Sequence, residues 1–184
     1  MTAQTTGTNP VLPGLAAIAC FAAYTWMSVS ERKPGNILWA CHLGCLLVGI
    51  GWIFGSPVTN AIGVLWLLPG IVLWTMYLTA GGALRLGSLL THGGGTILGI
   101  WGVFAFGFPT GAWWKAGVGW AALMALSRAV PARGDNVNFS RQVWQGWEKR
   151  FPSYRGYVAL ILAGGFAVFL GLEWALKRLV AAAS

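Results

Sequence analysis

The chain has 184 residues, of which 57% are hydrophobic and only 9% charged, and its formal net charge is +8. This composition excludes an ordinary soluble domain, in which about 25% of residues are charged. The basic excess does not require a nucleic-acid partner, because lysine and arginine beside apolar spans set topology and contact anionic headgroups. The three cysteines all lie in apolar segments, which argues against an extracellular disulfide framework. We therefore interpret the chain as an integral membrane protein whose main partner is the lipid bilayer.

Six apolar segments predict one all-α transmembrane domain over residues 1–184. Long apolar runs without alternation exclude a closed β-barrel, so a helix bundle is expected. The first ten residues lack the basic n-region of a secretory signal peptide, and we expect the first span to be retained. The predicted spans are 11–29, 37–55, 61–80, 88–108, 111–130 and 157–176.

The third and fourth spans carry local signals in their sequence. Pro69 and Gly70 interrupt the third span, and proline there predicts a kink that frees a backbone carbonyl. Ser88 is expected to cap the start of the fourth span. Small residues recur later in that span, a pattern suited to close helix contact. They are Gly95, Gly99 and Gly102.

The connection 131–156 is the long polar one. Its centre predicts a short amphipathic helix lying in the membrane interface, with apolar residues on one face and basic residues elsewhere. A membrane-anchoring connector is the favoured interpretation, and a headgroup-binding or partner-docking surface is the alternative. The asparagines of the segment 135–139 are expected to cap or bridge. The apolar face comprises Val143, Trp144, Trp147 and Phe151, and the basic residues are Arg141, Lys149 and Arg150.

The distribution of basic residues predicts the orientation in the membrane. Nine of them lie in or beside the connections after spans one, three and five, against three on the other side. The positive-inside rule therefore places those connections in the cytoplasm and both termini outside, with a bacterial inner membrane as the favoured location. Glu173, the only acid within the spans, is expected to snorkel or to pair with Lys177.

Two histidines and two cysteines are the candidate functional residues. His42 lies near the start of the second span, beside Cys41 and Cys45, and His92 lies near the start of the fourth span. Because these spans run in parallel, the two imidazoles should lie at similar depth in the cytoplasmic leaflet. A histidine inside lipid is costly unless a partner, a cofactor or a water-lined cavity receives it.

Three interpretations of this pair stay open. His42 and His92 are candidate cofactor and metal ligands, either both to one haem b or each to a chlorophyll, because neutral imidazole is the natural ligand of such a group. Alternatively, Cys45 or Cys41 is a catalytic nucleophile with His92 as its base. In the third interpretation the histidines only hold helix packing through hydrogen bonds. The favoured function is an accessory or cofactor-holding subunit of a larger membrane complex.

The second interpretation has a parallel in a known family. With its six spans, a second-span His and Cys, a third span with Trp, Pro and Gly and a fourth-span His, the chain resembles integral-membrane acyl enzymes. They include the androgen-induced-gene hydrolases and their uncharacterised bacterial relatives. The resemblance covers residues 38–95 and implies a lipid hydrolase or acyltransferase with Cys45 or Cys41 as nucleophile and His92 as base. The chain departs from the bacterial pattern in having two residues, not one, between His42 and Cys45.

Overall fold

The computed structural model describes residues 9–132, 134–144 and 146–183, and over these ranges the chain is helical with no β-strand. Longer helices occupy all of the predicted apolar segments, and short 3₁₀ turns precede α2 and lie in the long connection. The turns are Pro34–Leu38 and Val137–Phe139. The helices are α1 (Val11–Ser30), α2 (Ala40–Ile53), α3 (Pro57–Thr79), α4 (Leu86–Phe106), α5 (Ala112–Ala129) and α6 (Tyr154–Ala183).

Among the described residues, four of these helices, not six, are long and apolar enough to cross a membrane. They are α1, α3, α4 and α6. Helix α2 has 14 residues, which span about 21 Å, whereas a hydrocarbon core is about 30 Å thick. Helix α5 has 18 residues and includes Lys115 and Arg128, which lower its hydropathy. The all-α prediction is confirmed, and the structure supports four candidate spans.

Helix α2 is the central helix of the fold, packed between α1 and α3 through glycines. A Cβ added to Gly44 would lie 2.8 Å from the carbonyl oxygen of Gly63, and one added to Gly49 would lie 3.0 Å from that of Gly14. Such contacts are possible only because neither helix carries a side chain there. Eight of the 14 residues of α2 are buried, the other six are half-buried and none is exposed, so this short helix is covered by its neighbours.

The glycine stripe of α4 makes the close contacts that its sequence predicts. A Cβ at Gly95 would lie 2.8 Å from the Cys45 sulfur, and one at Gly99 would lie 2.7 Å from Val64. Asn60 of α3 donates from Nδ2 to the Gly99 carbonyl at 3.0 Å. The stripe therefore brings α4 against α2 and α3.

Helix α3 continues as a helix through Pro69, and the kink expected there stays a prediction. The capping prediction for α4 is wrong. Ser88 does not cap α4, because the helix begins at Leu86 and Ser88 lies inside its first turn. The Ser88 carbonyl instead accepts a hydrogen bond from a histidine one turn later, as described below.

The prediction of an amphipathic helix in the long connection is wrong, because the described residues 141–144 and 146–151 form turns and bends. Two features prevent a helix there. Gly146 adopts a left-handed conformation with φ +87°, and the Asn136 side chain accepts from the backbone N–H groups of Arg141 and Gln142 at 3.0 and 3.1 Å. These bonds hold the chain in a turn that competes with helix formation.

The same connection is joined to the start of α2 by Asn138, as expected for a bridging asparagine. Its Oδ1 accepts from the Ala40 N–H at 2.9 Å, and its Nδ2 donates to the Leu38 carbonyl at 2.7 Å and to the Ser127 hydroxyl at 2.9 Å. Asn138 is 2% exposed. Its side chain thus satisfies a free N–H in the first turn of α2 from a distant part of the chain.

The prediction that Glu173 snorkels or pairs with Lys177 is also wrong. Glu173 is 6% exposed, and its carboxylate accepts from the backbone N–H groups of Gly111 and Trp113, both at 2.9 Å. Those groups form the start of α5, where unpaired N–H groups and the helix dipole favour a negative charge. Lys177 donates to the Thr110 hydroxyl at 2.7 Å instead. Glu173 therefore caps α5 from α6.

Candidate functional site

The imidazole of His42 is oriented by the turn that precedes α2. His42 is 3% exposed, and its Nδ1 lies 3.1 Å from the carbonyl oxygen of Asn36. Because a carbonyl only accepts, Nδ1 carries the proton and Nε2 keeps its lone pair. Nε2 is buried and has no hydrogen-bond partner among the described residues. A buried acceptor without a partner calls for an explanation, such as a bound ion, a water molecule or a catalytic role.

His92 has the same arrangement on α4, within a π-helical segment, Leu90–Gly94. Its Nδ1 lies 2.9 Å from the Ser88 carbonyl oxygen, so Nδ1 donates and Nε2 keeps its lone pair. The Ser88 hydroxyl lies 3.4 Å from the same nitrogen. A π-helical turn inserts an extra residue into a helix and re-aims its side chains, and such turns are frequent at functional sites. The glycines at positions 93 and 94 allow the backbone to adopt this irregular turn, because glycine has no Cβ to restrict it.

The structure brings the two histidines together. Their ring centroids lie 5.7 Å apart at an interplanar angle of 72°, and both side chains are buried. Tyr24 of α1 stacks on His42 with centroids 3.3 Å apart, and Trp74 of α3 stacks on His92 with centroids 5.0 Å apart. Four helices therefore contribute one ring each. The expectation that His42 and His92 lie close to each other is confirmed.

Cys41 completes this cluster. One ligand atom from each of Cys41, His42 and His92 lies within 4.8 Å of the others. Cys41 is 8% exposed, and α3 approaches it closely because position 70 is glycine, where an added Cβ would lie 2.6 Å from the Cys41 Cβ. Two imidazoles and one thiol at this separation form a donor set suited to a soft or borderline metal ion.

The other two cysteines lie outside this cluster. The Cys45 thiol donates to the carbonyl oxygen of Ala17 at 3.3 Å, and the side chain is fully buried against α1 and α4. Cys20 is partly buried on α1. The cysteine that lies beside His92 is therefore Cys41, although the sequence places Cys45 on an equally plausible turn of the same helix.

The predicted interfacial residues form aromatic pairs of their own in the long connection. Trp144 stacks on Phe139 with centroids 4.9 Å apart, and Trp147 stacks on Phe151 at 5.9 Å. The Arg150 guanidinium lies 5.7 Å from the Trp147 ring centroid, while Lys149 is exposed. The aromatic contacts hold this loop in shape. Its residues remain candidates for contact with lipid headgroups.

Sequence reasoning did not identify four residues that position the cluster: Tyr24, Asn36, Trp74 and Ser88. The two aromatic residues carry no sequence signal, because apolar spans contain many of them. Asn36 and Ser88 act through their backbone carbonyls, and a residue of any type would supply the same carbonyl at these positions. These carbonyls are placed by the turn before α2 and by the π-helical turn of α4. The sequence carries a signal only for the π-helical turn, in the run of three glycines after His92.

The fold and the cluster together define an all-α protein with four helices that could cross a membrane and a buried Cys–His–His group between α2 and α4. Comparisons with protein-family models, with curated proteins and with solved structures find no match to the chain. The resemblance to integral-membrane acyl enzymes thus stays a prediction, and function must be argued from the cluster itself.

Proposed function

We propose that this chain is a membrane-embedded, cofactor-holding subunit whose bound group is ligated by His42 and His92. The observation that carries the proposal is the shared orientation of the two imidazoles. Each donates its Nδ1 proton to a backbone carbonyl, which leaves the Nε2 lone pair of each ring free, and the Nε2 of His42 is buried without a partner among the described residues. Metal-ligating histidines have this arrangement, in which the second nitrogen is hydrogen-bonded to a carbonyl or carboxylate that fixes the tautomer and the ring orientation.

The separations in the cluster favour a single metal ion over a porphyrin. Ligands about 2.0–2.3 Å from one ion lie roughly 3.5–4 Å from each other, so donors within 4.8 Å need only a small approach. A haem or chlorophyll macrocycle would instead need a flat slot beside each ligating nitrogen. Cys41 stands within 4.8 Å of both histidines, and Tyr24 and Trp74 cover their faces.

The membrane architecture belongs to the same proposal. Helices α1, α3, α4 and α6 cross the bilayer, and the shorter helices α2 and α5 return the chain through the bundle, so that both termini face outward in a bacterial inner membrane. Helix α2 is too short to span the hydrocarbon core alone, and its burial among α1, α3 and α4 supports a position inside the bundle. The nine-to-three basic-residue count supports the orientation.

Membership of a larger complex is supported by the open face of α6. Its large apolar residues include Leu160, Val168, Leu170, Trp174 and Leu179, each at least 47% exposed. In the most apolar 18-residue stretch of α6 only 11% is buried, against 28% in the corresponding stretch of α1 and 33% in those of α3 and α4. Such a surface suits lipid or a neighbouring membrane subunit.

The test measures how much metal and chromophore the protein purified in mild detergent contains. Elemental analysis gives the metal, and absorption spectroscopy gives the chromophore. We expect one bound metal ion for each chain, and loss of that ion in His42→Ala and His92→Ala. Cys20→Ser is the matched control, since Cys20 is a partly buried cysteine outside the cluster, and it should retain the ion. A colourless, metal-free protein that stays metal-free after reconstitution would refute the proposal.

A lipid hydrolase or acyltransferase is the second candidate, favoured by the Cys41–His92 proximity. In this case Cys41 is the nucleophile, and the His92 Nε2 accepts its proton. Labelling of the purified protein with a lipid-like electrophile distinguishes the two functions. Covalent modification at Cys41 that disappears in His92→Ala would support the enzyme, and an unmodified Cys41 in a metal-loaded protein would support the cofactor-holding subunit.

A further inference from the structure

The Cys41–His42–His92 cluster contains one group that can carry a negative charge when it binds a metal ion. The chain has only four acidic residues, and none belongs to the cluster. Glu31 pairs with Arg85 at the surface, and Glu173 caps α5. Asp135 and Glu148 lie in the long connection. An ion bound in the cluster therefore has one thiolate to balance its charge.

From this charge balance we infer that the cluster is a site for a single Cu(I) ion, bound by the Cys41 sulfur and by Nε2 of His42 and His92. The inference rests on the proposed function, which it deepens by naming the bound group. Cu(I), one thiolate and two neutral imidazoles have a net charge of zero. Zn²⁺ with the same three ligands keeps one positive charge, and a buried uncompensated charge is costly in an apolar medium.

The ligand types agree with this assignment. Thiolate and imidazole both bind Cu(I) and Zn²⁺ well, so net charge and coordination number decide between these two ions. A three-coordinate arrangement uses every donor of the cluster, whereas zinc usually takes four ligands in structural sites. Cys41 and His42 lie in the first turn of α2, and His92 lies in the π-helical turn of α4. Backbone hydrogen bonds hold both turns, so the three donors are oriented before the ion binds.

Binding involves a proton but no electron transfer. The Cys41 S–H bond breaks as the Cu–S bond forms, and the proton leaves to solvent. The histidines change no covalent bond, because each already carries its proton on Nδ1 and offers Nε2 as a lone pair. Copper enters and stays as Cu(I), so no oxidant or reductant takes part in the step.

The experiment is an anaerobic titration of the full-length protein in detergent with Cu(I), kept reduced by ascorbate, against a chromophoric Cu(I) chelator. We expect one Cu(I) for each chain. Cys41→Ser should weaken binding by more than about 100-fold, since removal of a ligand costs more than the 10–100-fold typical of a second-shell change. Cys20→Ser should bind as the wild type does. An excess of Zn²⁺ over Cu(I) should not displace the copper.

X-ray absorption of the copper-loaded wild type gives a measurement that does not depend on any variant. It should show a Cu(I) edge with one sulfur and two nitrogen ligands. An absence of Cu(I) binding, equal affinities of the wild type and Cys41→Ser, or displacement by Zn²⁺ would overturn the inference. If zinc or haem binds through His42 and His92, the copper inference fails while the proposed function stands. If neither metal nor chromophore binds, both fail.

Discussion

The imidazole of His92 stacks on the indole of Trp74, with ring centroids 5.0 Å apart and an interplanar angle of 5°. The two rings come from α4 and α3, so their contact joins two of the four helices that surround the cluster. Trp74 also blocks one face of His92, which leaves the ring edge available to His42 and Cys41. This stacking leads to the first prediction.

Trp74→Leu should remove the ring-current shift that the indole imposes on the His92 ring protons. The variant should also lower the free energy of unfolding by about 0.5–1.5 kcal/mol beyond the loss of apolar area, the usual size of an aromatic pair. NMR of histidine-labelled protein in micelles measures the first effect. Trp26→Leu is the control, since Trp26 is 77% exposed, and it should leave the His92 signals in place. Unmoved His92 signals in Trp74→Leu would contradict the stacking.

The contact between His42 and His92 predicts energetic coupling. Their rings lie 5.7 Å apart, and residues in contact show interaction energies of about 0.5–3 kcal/mol in double-mutant cycles. We expect a coupling in this range between His42→Ala and His92→Ala, measured by unfolding in detergent. The pair His92→Ala and Glu173→Ala shares no hydrogen-bond partner and should be additive. Additivity of the two histidine variants would show that the rings do not interact.

Glu173→Gln should destabilise the protein, because a charged cap of α5 is replaced by a neutral one. The carboxylate accepts two backbone N–H groups, while the amide of glutamine offers one acceptor oxygen and turns a donor toward the helix. We expect a loss of about 1–3 kcal/mol, the usual cost of an unsatisfied buried group. Lys177→Gln loses only an exposed hydrogen bond to Thr110 and should change stability by less than about 0.5 kcal/mol. Equal effects of the two changes would argue against the cap.

Asn138→Ala should destabilise the start of α2 and weaken any ion bound by Cys41 and His42. The change leaves the Ala40 N–H and the Leu38 carbonyl without their partner, at a cost of about 1–3 kcal/mol. Hydrogen exchange of the first turn of α2 is the measurement, and faster exchange is expected. Asn136→Ala is the matched control, because its acceptor oxygen serves only the connection. If both variants leave exchange in α2 unchanged, Asn138 does not hold this turn.

The orientation of the long connection is open to direct measurement. A cysteine at Ser153 should react with an impermeant thiol reagent only after the cytoplasmic side is exposed, since basic residues favour the cytoplasm. Native protein is the background control, and its cysteines are buried or partly buried. Labelling of Ser153→Cys in intact cells would reverse the proposed orientation.

Much of this molecule follows from sequence pattern. The apolar segments predicted helices, and helices occupy all of them, because in lipid every backbone N–H and C=O must be satisfied within the chain. The stripe of Gly95, Gly99 and Gly102 predicted close packing, since small residues are what allow helices to approach. The number of helices able to span a membrane was overpredicted by two. Apolarity alone does not show that the 3₁₀ turn shortens α2, and Lys115 and Arg128 lower the hydropathy of α5.

The tertiary structure decided which residues meet. The sequence predicted that His42 and His92 lie at similar depth, but rotation of each helix about its axis is set by packing, which sequence spacing does not encode. Packing selected Cys41 over Cys45 as their neighbour, placed Tyr24 and Trp74 on the rings, and sent the Glu173 carboxylate to α5 rather than to Lys177. Local hydrogen bonds of Asn136 likewise overrode the helical periodicity around Trp144. Patterns along a chain determine segments, and only contacts between segments determine a site.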